Sequence, residues 1–383
     1  MVTTPALFTL DALGGNDLIC NGAATITDAG PGDDVIWSGA VPGPGPGNEL
    51  DGGDGNDVLH GTDGQEYING GLGNDVVTAG GGTDIIDAVD SFPTDTVPAS
   101  DDDSIDAGAG DDIVYDTWGD DTLVGGDGHD ELLVSSGADD PVDDGCSGSF
   151  AARPVLDVAT HSVTGLGTDS FDGFEAYAGG AYQATLRGSS GPDELRTAAC
   201  GVTTLDGRGG ADVLLGESAQ GSVIAGGSGG DRITLKGRTS VTAGTGDDVV
   251  RLDPPFSGMS THGSHLIGGR GTDWVVVNTP GYDTIDLRSG LSRRDKRKVS
   301  TTGFENVRDL AWPTLHGVAT TLIGDRSRNV LIAPEDDPAR GVRSVLRGLG
   351  GNDRLLAGDH DTADGGPGHD VCRAQHRVAC EAR

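Results

Sequence analysis

Aspartates at a fixed place in a glycine-rich phrase are the residues of this chain best suited to chemistry. The phrase GGxGxD ends at Asp57, Asp75, Asp130, Asp231, Asp273 and Asp370. Near-copies that begin with alanine end at Asp34, Asp112 and Asp248. Carboxylates that close tight glycine turns can ligate a hard cation together with the turn's own carbonyl oxygens. Ca²⁺ accepts six to eight such oxygens in flexible geometry, whereas Mg²⁺ dehydrates reluctantly and suits an all-protein cage poorly. No cysteine or histidine spacing points to zinc. His60, His129, His265 and His369 have no ligand-like pairing, and His129 and His369 fill the variable fifth place of a repeat.

Charge shows where a cation is needed most. The chain carries 61 acids and 25 bases. The first 150 residues hold 32 of the acids and no lysine or arginine, which leaves 29 acids against 25 bases in the remainder. The net charge is therefore −32 in the first part and −4 in the second. So many uncompensated carboxylates repel one another and oppose compaction. Disorder is the expected metal-free state of such a segment. It is not the expected metal-bound state, because an aliphatic residue follows each aspartate at constant spacing.

That spacing defines the elements that position the acids. Steps of nine from Asp57 land on Glu66, Asp75 and Asp84, and steps back from Asp130 land on Asp121, Asp112 and Asp103. Two places beyond these acids lie Leu59, Ile68, Val77, Ile86, Ile105, Val114, Leu123 and Leu132. Each nine-residue step is expected to be a glycine turn followed by a short strand with one inward side chain. Two steps make a coil, so acids 18 apart stack: Asp57 on Asp75, Glu66 on Asp84, Asp103 on Asp121, Asp112 on Asp130. Repeats of this kind bury a core only by stacking on neighbours.

These nonapeptides resemble the GGxGxDxUx repeats of the RTX (haemolysin-type) calcium-binding family. The resemblance implies an all-β, right-handed parallel β-roll or β-helix solenoid of nonapeptide repeats, in two blocks with irregular strand-rich interruptions. It implies several Ca²⁺ ions held between stacked turns by sixth-position carboxylates and turn carbonyls. The candidate ligands are Asp17, Asp34, Asp57, Glu66, Asp75, Asp84, Asp103, Asp112, Asp121, Asp130, Asp212, Asp231, Asp248, Asp273, Asp353 and Asp370.

Departures from the repeat organise the rest. Asp17 and Asp34 bracket a turn without an acid, so that coil is expected to be liganded on one edge only. The Val41–Gly47 stretch and the Asp87–Asp102 stretch read as loops. Asp212, Asp231 and Asp248 stack at intervals of 19 and 17, opposite acid-free turns near Ser222 and Thr239. No acid lies 18 residues from Asp273, which makes it the weaker partner in any stack. Residues 146–186 and 276–319 break the pattern, and each ends in a similar phrase, Gly173-Phe-Glu-Ala176 and Gly303-Phe-Glu-Asn306. The echo suggests duplication of a longer unit. Val155, Leu156, Val158 and Val163, and Trp274–Val277 with Ile285 and Leu287, read as strands that continue the solenoid. The expected organisation is a calcium-dense roll over 1–145, a connecting segment over 146–200 and a calcium-poorer roll over 201–275. An irregular segment with a basic loop over 276–320 and final repeats with a cap over 321–383 complete it.

Other motifs weaken under the same scrutiny. Arg293–Lys298 is the one basic cluster, but the surrounding acidic field disfavours nucleic acid, so a solvated short helix or loop is expected. The GxSxG at Gly226–Gly230 belongs to a repeat and is not expected to be a hydrolase elbow. Cys372 takes the inward place of the last repeat, and pairing with Cys380 would close the core's open end. Cys146 could pair with Cys200, with Cys20 left over, although four cysteines admit three connectivities. Disulfides and weak calcium sites point to an oxidising, calcium-rich exterior. The amino terminus shows no secretory leader, the carboxyl terminus does not resemble the family's uncleaved secretion signal, and no stretch is apolar enough to span a membrane.

The expectation is therefore a non-catalytic, secreted structural or adhesive module that rigidifies on Ca²⁺, with a cell-surface or extracellular protein or glycan as partner. The alternative is a calcium-stabilised accessory part of a secreted hydrolase or protease, although the first repeat begins by residue 11 and leaves no room for a catalytic domain before it. A carbohydrate- or ice-binding solenoid ranks below both, because the outward positions vary too much for a regular array.

Overall fold

The computed structural model describes residues 8–22, 25–39, 47–87, 101–116, 118–134, 153–165, 167–179, 184–197, 203–217, 221–253, 263–278, 284–292, 298–310, 320–333 and 343–381. The chain forms two compact units, Met1–Arg187 and Gly188–Arg383, so the division falls inside the 146–200 segment. Among the described residues every element is a β-strand except one 3-10 turn at Val158–Thr160.

In the first unit successive strands alternate between two sheets. The first sheet runs Phe8–Asp11, Thr25–Asp28, Asn48–Asp54, Glu66–Leu72, Ile85–Asp87, Ile113–Asp116, Glu131–Val134 and Ala176–Gly179, all parallel. The second runs Leu18–Cys20, Val35–Trp37, Val58–His60, Val76–Thr78, Ser104–Gly110, Thr122–Asp127 and Thr168–Asp172, also parallel. Most of these strands are too short to persist alone, and three or more must pair over an apolar face. The inward residues supply that face. Leu59, Ile68, Val77, Ile86, Ile105, Val114, Leu123 and Leu132 are each at most 2% exposed. Each contributes up to about 1.5–3 kcal/mol by burial. The turns stack as closely as the strands. Gly73 has φ +132°, and a β-carbon there would collide with the carbonyl oxygen of Gly55 one coil below. Only glycine meets both conditions.

The second unit repeats the plan. Its first sheet runs Glu194–Thr197, Val213–Gly216, Arg232–Leu235, Val249–Leu252, Trp274–Val277, Asn306–Asp309, Val330–Ile332, Arg354–Leu356 and Val371–Arg373. Its second sheet starts with Thr204–Asp206, Ser222–Ser228, Thr239–Thr245 and His265–Arg270. It ends with Thr321–Ile323, Val345–Arg347, Thr362–Asp364 and His376–Val378. Leu195, Leu214, Ile233, Val250, Val275, Val307, Leu331, Leu355 and Cys372 form the inward file of the first sheet. Cys372 is bonded to Cys380, as expected. The tail does more than hang from that bond, since His376–Val378 adds a parallel strand to Thr362–Asp364.

The two irregular segments keep the expected parallel strands at Val155–Leu156, Trp274–Val277 and Ile285, but Val163 lies on an antiparallel strand and Val158 and Leu287 lie in turns. After Glu131–Val134 the chain lays Val155–Asp157 ahead of the growing sheet, doubles back through Ser162–Thr164, and fills the gap with Thr168–Asp172. Thr185–Arg187 then resumes parallel growth on Val155–Asp157. In the second unit Thr284–Asp286, Gly290–Ser292 and Lys298–Thr302 make the same reversal between His265–Arg270 and Thr321–Ile323. Each insertion thus gives the second sheet one antiparallel strand flanked by two that keep the parallel sense. The reversals come from local turns. His161 is left-handed at φ 50° after the 3-10 turn that holds Val158, and Leu287 lies just past its strand. Identical topology after matching phrases is what a duplicated unit produces. Residues 40–46, 88–100 and 293–297, with Cys146 and Cys200, lie outside the described residues, and with them most of the two loops and the basic cluster.

Candidate metal centre

The first unit carries two columns of acids, one before each sheet. Before the second sheet the column is Asp17, Asp34, Asp57, Asp75, Asp103, Asp121 and Asp169. The backbone N–H of each donates to Oδ1 of the next, at 2.6–3.0 Å. Before the first sheet the column is Glu66, Asp84, Asp112, Asp130 and Glu175, linked in the same way at 2.7–2.9 Å. A third, exposed file runs beside the first column. Asn16, Asp33, Asn56, Asn74, Asp102 and Asp120 accept backbone N–H groups from neighbouring turns. The variable fifth position therefore has a stacking role of its own.

One carboxylate oxygen is used in this ladder and the other is left over. Among the candidate ligands, every one except Glu66 and Asp121 has its Oδ2 buried without a hydrogen-bond partner, and Asp101 and Asp169 share that state. A buried, unpartnered carboxylate oxygen is costly unless a cation or proton meets it. Several of the orphans lie beside backbone carbonyls. A β-carbon built on Gly52 would lie 2.5 Å from Asp57 Oδ2 and closer still to the Gly70 carbonyl oxygen. Gly207 is placed likewise, 2.5 Å from both Asp212 Oδ2 and the Gly226 carbonyl oxygen. Among the described residues no three Asp, Glu, His or Cys side chains converge on one point. A bound cation would therefore complete its shell with turn carbonyls, as an oxygen-rich, flexible calcium site allows. Glu66 is the exception in kind. Its longer side chain folds back on its own turn, accepting the Thr62 hydroxyl at 2.6 Å and the Thr62 N–H at 3.3 Å.

Without a cation these carboxyls resist ionisation. Burial raises Asp57, Asp84, Asp121 and Asp212 from 3.8 to about 7, and Asp75, Asp273 and Asp353 to about 6. Asp103, boxed in by Asp75, Asp121 and Asp101 as well as by burial, rises to about 9. The N–H donated from the preceding coil opposes the rise at each position but does not cancel it.

In the second unit one edge keeps its acids and the other has exchanged them. Asp193, Asp212, Asp231, Asp248, Asp273 and Glu305 form one column, with links of 2.8–3.0 Å. Asn329, Asp353 and Asp370 form a further run, with links of 2.7–2.8 Å. This corrects the placing of Asp273 as a poorly stacked acid, since it sits between Asp248 and Glu305 at separations of 25 and 32 residues. On the opposite edge the equivalent places hold Thr203, Ser222, Thr239, Ser264, Thr320 and Ser344, all buried. Ser264 Oγ accepts the Thr239 N–H at 3.0 Å, so a neutral hydroxyl takes the acid's structural role. Asp361 ends that file and accepts N–H groups from Ser344 and Gly358.

Sequence spacing missed Asp101, Asp169, Glu175, Asp193, Glu305 and Asp361. The available signals were an acid two places before an inward residue, as in Asp169-Ser-Phe171, Asp193-Glu-Leu195 and Asp361-Thr-Ala363, and the repeated Gly-Phe-Glu phrase. In both copies of that phrase the glutamate is the column member.

The profile of the RTX calcium-binding nonapeptide repeat, in four copies, matches residues 60–88, 99–139 and 344–372. Those stretches contain Asp75 and Asp84, Asp103 to Asp130, and Asp353 and Asp370, the acids whose stacking is described above. These stretches are RTX-type calcium-binding repeats. RTX repeats imply calcium binding, which agrees with the orphaned oxygens and the carbonyl-lined turns. The RTX fold is here all-β, with long parallel sheets. No curated protein matches the chain.

Proposed function

We propose that this RTX-type protein is a non-catalytic extracellular structural or adhesive module that becomes rigid when its acid columns take up external calcium. The observation that carries the proposal is the file of buried carboxylates whose second oxygen has no partner, repeated coil after coil. Near neutral pH and above, where protonation gives way, a cation along the column removes the cost of that arrangement. A rigid stack of strands in each unit is then the product, which suits a structural role better than turnover. Ser228, the serine of the Gly226–Gly230 phrase, lies at the end of a stacked repeat strand, which supports its being part of a turn. The Cys372–Cys380 bond favours an oxidising exterior. No helix among the described residues is long and apolar enough to cross a membrane. A cell-surface or extracellular protein or glycan is the partner class proposed.

The test is a calcium titration followed by circular dichroism, with metal counted by mass spectrometry. Several ions retained per chain, together with a gain of β-signal, is the expected result. A chain that retains no calcium above buffer level, or retains it without structural change, overturns the proposal. A hydrolase or protease activity of the calcium-loaded chain would instead support the accessory-enzyme alternative.

A further inference from the structure

We propose that copies of this chain dock head to tail, the arginine-bearing outer face of the first sheet in Gly188–Arg383 seating on the acidic outer face of the first sheet in Met1–Arg187 of a second copy. This goes beyond calcium binding, because the groups involved lie on sheet faces and not in the turn columns.

The basic face is unusual in a chain of net charge −36. Arg232, Arg308, Arg354 and Arg373 are exposed on four strands of one sheet, each beside an inward neighbour, Ile233, Val307, Leu355 and Cys372. The pairing Arg354↔Val371 and Leu356↔Arg373 places the last two on adjacent rungs. Among the described residues none of the four makes an ion pair; Arg251, on the rung after Arg232, is turned to Asp253 at 2.6 Å. The other sheet of this unit presents Ser240, Thr242, Ser300, Thr302 and Thr321 outward. Arg347 also lies exposed on that sheet, opposite Asp364, and Arg270 and Arg377 end or cross its strands, so the outward arginines gather mainly, and not solely, on the first sheet.

The acidic face has the complementary pattern. Asp11, Asp28, Asp51, Asn69 and Asp87 pair across five successive rungs, and Glu49 lies beside Asp51. No lysine or arginine precedes Arg153 in the chain. Calcium held at the edges would leave this row charged. Both faces share the rung spacing of a parallel sheet, about 4.7–4.9 Å, so charges on one rigid face repeat at multiples that the other can meet. An arginine side chain reaches at least one rung to either side, which relaxes the register. At physiological salt, charges more than about 8 Å apart are largely screened. Docking of two different patches joins copies heterologously, into a closed ring or an open chain according to whether the rotation between copies closes.

The experiment is sedimentation equilibrium of the calcium-loaded chain at about 50 mM and about 500 mM NaCl, which brackets the range over which screening acts. The wild-type mass should rise above 38.7 kDa with concentration at low salt. Association should weaken about tenfold or more at high salt. The triple variant Arg232→Glu/Arg308→Glu/Arg354→Glu and the triple variant Asp28→Lys/Glu49→Lys/Asp51→Lys should each be monomeric alone. Mixed, they should form one-to-one dimers, because each retains the face that the other has lost; this recovery separates lost docking from lost folding. A wild type that is monomeric at all salts, an arginine variant that associates like the wild type, or a mixture that fails to pair each overturns the proposal. A monomeric wild type retained on chondroitin sulfate through these arginines would also overturn it and assign the face to an anionic polysaccharide.

Discussion

The backbone N–H of Asp121 donates to Asp169 Oδ1 at 3.0 Å across 48 residues of chain. Most of the intervening residues form the last coil of the first block and the back-folded strands of the first insertion. The acid column crosses that insertion without losing a member, and Asp273 and Glu305 do the same across the second at 2.8 Å. Succession in space, and not a spacing of 18, is what makes two acids neighbours here.

Removal of calcium should unfold the first unit before the second. With 32 acids and no base in the first 150 residues, the apo chain there has only repulsion in place of ligand bonds. A ligand present at about 1,000 times its dissociation constant adds about 4 kcal/mol per site, and the chelated chain forgoes that for each site. Limited proteolysis in EGTA should cut within residues up to about 145 first, with loss of β-signal by circular dichroism. Equal resistance with and without chelator would sink the linkage.

Asp75→Ala and Asp273→Ala should both raise the calcium midpoint, by roughly tenfold or about 1.4 kcal/mol. Each lies between two column neighbours, Asp57 and Asp103 for one, Asp248 and Glu305 for the other. Ser264→Ala removes only the bond to Thr239 N–H, costing about 1 kcal/mol, and should leave calcium content unchanged. Competition with a chromophoric chelator measures all three. If Ser264→Ala loses as much calcium as Asp273→Ala, the division of the second unit into an acid edge and a hydroxyl edge is wrong.

The pH dependence should reverse with calcium. Asp57, Asp84 and Asp121 are raised from 3.8 to about 7 by burial, so the cation-free fold holds protons that the unfolded chain has released. A native state that binds more protons loses stability as pH rises, here from about 4 up through about 7. Calcium requires the deprotonated form, so its affinity falls as pH drops through the same window. Metal-stripped protein should therefore melt higher at pH 5 than at pH 8, and calcium-loaded protein the other way round. Parallel pH trends in the two states would contradict the assignment of these carboxyls.

Loss of the Cys372–Cys380 bond should loosen the carboxyl end only. The chain-entropy estimate for so short a loop is about 2–3 kcal/mol. The strand His376–Val378 and the bond from Glu381 N–H to the Asp370 carbonyl oxygen at 2.9 Å also hold the tail, so exchange should quicken without complete release. Hydrogen exchange of Cys372→Ser/Cys380→Ser should show faster amides over residues 362–381 and unchanged ones near Asp75. Non-reducing peptide maps should find the two cysteines joined.

The composition and the phrase GGxGxD were enough to determine an all-β stack with one inward residue per turn. Leu59 to Leu132 could be assigned to the core because side chains alternate across a short strand and only every ninth position is reliably aliphatic. The pairs Asp57–Asp75 and Asp112–Asp130 followed for the same reason, as a regular coil converts a constant interval into contact. What the tertiary structure alone decided lies wherever the interval changes. Asp248 and Asp273, 25 apart, stack because Val249–Leu252 and His265–Arg270 keep their places in the two sheets. Val155–Asp157 and Ser162–Thr164 have the apolar content of any other coil strand, and their antiparallel pairing depends on a local turn at His161 that leaves no periodic trace. The hydroxyl file from Thr203 to Ser344 was hidden for a related reason. Threonine and serine are common in any turn, and only their burial in file, with Ser264 taking the Thr239 N–H as an acid would, reveals the exchange.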